Sequence, residues 1–61
     1  MSYVLLTADE TYVVEYLLQQ LILSESISEA MVFDDMELAL KFKKMLWECC
    51  ELQCSVNTYI P

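Results

Sequence analysis

Apolar positions along this chain follow two different periods. "SYVLLT" (2–7) is rich in β-formers and predicts a strand. "LQCSVNTYI" (52–60) alternates, with Leu52, Cys54, Val56, Thr58 and Ile60 on one side and Gln53, Ser55, Asn57 and Tyr59 on the other, the pattern of a half-buried strand. "YVVEYLL" (12–18) reads two ways. As a strand it puts Tyr12, Val14, Tyr16 and Leu18 on one face and Val13, Glu15, Leu17 and Gln19 on the other. As a helix it would start from a capping box at Thr7-x-x-Glu10, with Val13, Leu17 and Leu21 in line behind it. The β-branched and tyrosine residues within 12–16 favour the strand. Two further extended pieces, 21–24 and 30–33, flank a polar bend.

The period changes at "MELALKFKKMLWECCEL" (36–52), where a helix is expected over 36–48. Asp34 and Asp35 are natural N-caps, and with Glu37 they suit the positive end of the helix dipole. Glu37, Lys41, Lys44, Glu48 and Glu51 form one polar stripe, in which Glu37 precedes Lys41 by one turn. Leu38, Ala39, Phe42, Met45, Leu46 and Cys49 lie opposite, with Met36, Leu40, Trp47 and Cys50 on the flanks. A helix packed once on a sheet needs an apolar arc of roughly 100°. This arc is wider, so Leu40 and Trp47 are left for a second surface. The whole order is β-β-(β)-α-β, a small antiparallel sheet with one amphipathic helix on a face, hence an α+β fold in a single domain over 1–61.

Composition sharpens this picture. Of 61 residues, 57% are hydrophobic, more than so short a chain can bury alone. A homodimer or an apolar contact with another protein is therefore expected, through Leu40, Trp47 and Tyr59. Ten acids oppose three bases, Lys41, Lys43 and Lys44, for a net charge of −7. Such a surface repels phosphate, so direct nucleic-acid binding is not expected. Asp9, Glu10, Glu25, Glu29, Asp34, Asp35 and Glu37 form a candidate acidic binding face suited to a basic groove on a partner; keeping an apolar chain soluble is the competing account. No apolar run approaches the ~20 residues of a membrane span, and no basic segment precedes a hydrophobic stretch as in a secretory signal. An odd count of three cysteines, two of them adjacent, fits reduced thiols in a cytoplasm better than a disulfide framework.

Little chemistry is encoded. Cys49-Cys50-x-x-x-Cys54 lacks the paired spacing of a zinc site, and histidine is absent, so no metal or other cofactor is expected. Without histidine a nucleophilic thiol has no customary base, and Glu48 and Glu51 would raise a neighbouring thiol pKa rather than lower it. Phosphate-cradling loops need glycine, and there is none. An enzyme is not expected.

The stretch "ISEAMVFDDMELALKFKKML" (27–46) resembles a pattern of very small phage-encoded proteins: a short strand carrying Phe33, the acidic cap Asp34-Asp35, a helix with Ala39 and Phe42, and a closing strand. The resemblance covers about half the chain and carries over no site residue. It implies an acidic, stoichiometric inhibitor of a host nucleic-acid-handling or defence protein, including a nucleic-acid mimic or an anti-CRISPR-like role, acting in the host cytoplasm. Two other readings compete: an assembly subunit that oligomerises through its apolar helix, and a sponge that holds a small signalling molecule against the three lysines.

Overall fold

Four strands, one 3-10 turn and one helix make up the computed structural model, which describes residues 1–60: β1 (Ser2–Thr7), β2 (Tyr12–Leu17), β3 (Gln20–Ser24), the turn Ile27–Glu29, α1 (Met36–Cys50) and β4 (Cys54–Tyr59). The sheet runs β3-β2-β1-β4 with every neighbouring pair antiparallel. The α+β order expected from the sequence is therefore found, with β3 a full strand.

Residues 12–17 are a strand because Thr7 is used differently from a helix cap. Its hydroxyl sits 2.6 Å from the Thr11 hydroxyl, and its N–H donates to the Thr11 carbonyl at 2.8 Å. Glu10, at φ 61°, donates its N–H back to the Thr7 carbonyl at 3.1 Å. These bonds close the β1–β2 turn and leave Thr7 nothing with which to start a helix. The next hairpin closes at the Leu17–Gln20 pair around Leu18 and Gln19, whose φ values of 52° and 65° match a two-residue turn that follows the strand twist.

Strict alternation in β2 fails at a bulge. Val13 pairs with Leu23 and Glu15 with Ile22, so Val14 is an extra residue without a partner. The bulge re-phases the strand: Val13 is buried and Tyr16, three positions on, also packs against the core. The faces expected from alternation, Tyr12-Val14-Tyr16-Leu18 against Val13-Glu15-Leu17-Gln19, are thus corrected. Beyond the bulge β1 and β2 part, and residues 31–33 enter the gap. The Met31 N–H donates to the Val13 carbonyl at 2.9 Å, and Phe33 and Tyr3 exchange two backbone bonds of 2.8 Å. The strand expected over 30–33 is accordingly a single bridge between Phe33 and Tyr3. Ser26–Ala30 supplies the polar bend as the 3-10 turn.

Helix α1 starts where Asp35 accepts the Glu37 N–H at 3.1 Å. It extends two residues past the expected end. Glu51 then takes a left-handed conformation (φ 55°, ψ 30°), its N–H bonding the Trp47 carbonyl, and the Leu52 N–H reaches the Leu46 carbonyl. The closing strand is correspondingly shorter than expected, Cys54–Tyr59. The helix packs on β1 and β4. Leu5, Val13, Phe33, Ala39, Leu46 and Cys54 form the core, and the Phe33 and Phe42 rings meet at 5.5 Å and 54°, joining the inserted segment to the helix. The buried stripe of α1 is narrower than the sequence suggested: Ala39 and Leu46 are fully buried, while Leu38 and Cys49 are exposed. On the opposite face of the sheet Val4 is fully buried beside half-buried Leu6, Tyr12 and Tyr59, which alternation and register place around it.

Candidate functional site

A concavity lies along the flank of α1 that faces the β4 edge. An open groove of about 560 Å³ runs between Leu40, Lys43, Lys44 and Trp47 on the helix and residues 52–54 at the entry to β4. The four helix positions are spaced i, i+3, i+4 and i+7, which is one helical face. Leu40 is 49% exposed and Trp47 55%, so the two largest apolar side chains of this flank are left uncovered. The floor is partly covered by half-buried Leu52 and buried Cys54. Lys43 stands close enough to Cys54 to pull its thiol pKa down, although burial acts more strongly and pushes it up from 9.0. No carboxylate lines the groove among the described residues.

Register places the seven predicted acids at two separate ends. Asp9 and Glu10 lie in the β1–β2 turn, and Glu25 and Glu29 follow Ser24, which pairs with Tyr12 at that same end of the sheet. Glu29 there accepts the Ser24 hydroxyl at 2.7 Å. Asp34, Asp35 and Glu37 follow Phe33, which pairs with Tyr3 near the start of β1, at the opposite end. The two groups are thus separated by most of the length of β1, roughly 15 Å at the rise of an extended strand. Charges that far apart exceed the ~10 Å screening length of 0.1 M salt, so the acids do not form one continuous face.

The predicted contact residues are likewise divided. Leu40 and Trp47 share the groove. Tyr59 is half-buried and pairs with Ser2 on the sheet face turned away from α1, so it does not join them. The sequence reading set Lys43 and Lys44, with Lys41, only in the alternative small-molecule site and not beside Leu40 and Trp47; their i+3 and i+4 spacing from Leu40 was the available signal. It also missed a cluster of Tyr16 with the exposed Cys49 and Cys50: hydrogen bonding to the Cys50 side chain and then desolvation raise the Tyr16 pKa above 10.0, and the two thiols add to this. All three cysteines are free, and among the described residues no three of His, Cys, Asp and Glu converge to hold a metal ion. Among the described residues no helix is long and apolar enough to cross a membrane.

No protein-family model, curated protein or solved structure matches this chain. The groove and its charges therefore carry the functional argument on their own.

Proposed function

We propose that this chain is a non-catalytic protein-binding module that acts by stoichiometric docking, its contact surface being the α1 flank that carries Leu40 and Trp47. The observation that carries this reading is the uncovered pair of large apolar side chains beside an open groove. Half-exposed Trp is costly to leave in water and is the residue type that most often anchors an interface. The module's role is inhibition of a host nucleic-acid-handling or defence protein in the cytoplasm, as in the small acidic phage-encoded proteins it resembles. The acids at the two ends of the sheet steer the encounter with a basic partner surface, and the groove supplies the hold.

Self-association is a second reading, favoured by a different observation. Edge strand β3, Gln20–Ser24, carries no charge and no proline, the usual guards of a free sheet edge, and exposed Leu17, Leu18, Ile22 and Leu23 surround it. A second copy paired antiparallel along β3 would cover them. Sedimentation of the wild type and of Ile22→Lys tests this: the variant should be a monomer where the wild type is a dimer.

The docking surface is tested by capture from a bacterial lysate with the tagged wild type, Trp47→Glu and the double variant Asp34→Asn/Asp35→Asn. A discrete protein retained by the wild type and lost with Trp47→Glu is the expected result. Equal capture by Trp47→Glu would remove the α1 flank from the interaction, and recovery of the chain's own copies alone would favour the assembly-subunit reading.

A further inference from the structure

The chain's positive charge is concentrated in one place. Of its three cations, Lys41, Lys43 and Lys44, two line the groove, in a protein of net charge −7. No acid among the lining residues answers them. A partner segment that enters the groove meets these lysines and no carboxylate of the lining.

The groove also reaches a free sheet edge at Cys54, the first residue of β4. β4 is the last strand of the sheet, held on one side by β1 in six consecutive pairs without a bulge and open on the other. It carries no charged residue and no proline: the sequence is Cys54-Ser55-Val56-Asn57-Thr58-Tyr59. Such an edge presents a row of unpaired backbone donors and acceptors, the template for addition of another strand. A strand added there would lie about 4.8 Å from β4. Its alternate side chains would share the face of Cys54 and Val56 and point under the helix flank, onto Leu40 and Trp47. Lys43 and Lys44 would stand over the same side chains or their neighbours.

From this geometry we infer that the groove and the β4 edge together form a strand-addition site for an extended, acidic segment of a partner protein, whose helix-facing positions, every second residue, carry both apolar side chains and Asp or Glu. This rests on the docking surface proposed above and names how it is filled. The apolar positions fill the space beside Leu40 and Trp47, the carboxylates meet Lys43 and Lys44, and the backbone supplies affinity that does not depend on sequence. A second copy of this chain is a poor occupant. Twofold pairing through β4 would bring the helix flanks of both copies, with Lys43 and Lys44 of each, to the same side of the joined sheet. Nucleic acid brings the right charge to the lysines but lacks the backbone donors and acceptors with which a strand pairs to the β4 edge.

The test uses the full chain and a displayed library of random twelve-residue peptides, selected on the immobilised protein. The expected winners carry apolar and acidic residues together at positions of one parity, i, i+2 and i+4. A synthetic winner, titrated into the isotope-labelled chain, should shift the amides of residues 54–59, newly protect from exchange those of Cys54, Val56 and Thr58, whose backbone faces the free edge, and change the fluorescence of Trp47. Charge reversal at Lys43→Glu/Lys44→Glu should weaken it about 10-fold or more, and exchanging the peptide's acids for lysines should restore binding to that variant. Lys44 is exposed and Lys43 half-buried, and the variant's own amide spectrum verifies that it keeps its fold. Basic or uncharged winners, protection on residues 20–24 instead of 54–59, no enrichment at all, or tighter retention of a twelve-nucleotide thymidine strand than of the peptide would each overturn the inference. If these fail while Trp47→Glu still abolishes lysate capture, the docking surface stands and only strand addition is wrong.

Discussion

Glu51 occupies a left-handed conformation that glycine usually takes at the end of a helix. A residue with a Cβ carries about 1 kcal/mol of steric cost there, and this carboxylate also sits at the negative end of the helix dipole. Glu51→Gly should therefore raise stability by about 1 kcal/mol, a melting-temperature rise of roughly 4–8 °C in a domain of this size. Leu18→Asn with Gln19→Gly, in the left-handed β2–β3 turn, should act in the same direction. Cys54 makes a second residue-scale prediction. It is buried, whereas Cys49 and Cys50 are exposed, so two thiols should react promptly with an alkylating reagent and the third only as the protein opens. Burial raises the Cys54 pKa in the folded state above 9.0, so as pH rises through that value the unfolded chain loses this proton first. The native state then binds more protons than the unfolded one, and stability falls with increasing pH; below that range the thiol contributes no slope. The urea midpoint should decline between pH 8 and 9.5, and Cys54→Ala should flatten that decline.

Among the elements, α1 has two faces of different consequence. Leu46 and Ala39 seal the sheet, while Leu40 and Trp47 touch open solvent. Leu46→Ala should cost about 2–5 kcal/mol, against a total stability of roughly 3–9 kcal/mol for a chain of this length, and leave much of the protein unfolded at 37 °C. Leu40→Ala should change the melting temperature little, about 0.5 kcal/mol or less, while weakening partner binding. Thermal scans of both variants read this directly. If Leu40→Ala proved as damaging as Leu46→Ala, the flank would be part of the core. Segment 31–33 belongs at this scale too. It enters between β1 and β2 where the Val14 bulge separates them, and the Phe33–Phe42 contact couples that junction to the helix.

For the whole molecule, the distribution of charge matters more than its sum. Acids at two ends of the sheet and lysines at the groove make a pattern with a positive centre on one side of an otherwise negative body. Such a pattern sets the orientation of an encounter. Raising salt from 50 to 300 mM should slow association with a captured partner, whereas Trp47→Glu should chiefly speed dissociation; surface-plasmon kinetics separate the two. Because the two acidic groups are screened from each other, neutralising Asp9, Glu10, Glu25 and Glu29 and neutralising Asp34, Asp35 and Glu37 should have additive effects on the association rate.

The local periods of the chain by themselves determined the strands at either end, the α1 helix with its Asp35 cap, and the surplus of apolar side chains on Leu40 and Trp47. These follow from the 2.0 and 3.6 repeats and from capping chemistry, which depend on near neighbours. Only the tertiary structure decided the bulge at Val14, the insertion of 31–33 beside β1 and the separation of the seven acids. It also decided the removal of Tyr59 from the helix flank and the meeting of Lys43 and Lys44 with the edge of β4. Each of these depends on which strand lies beside which and in what register, a matter settled by packing between residues far apart in sequence.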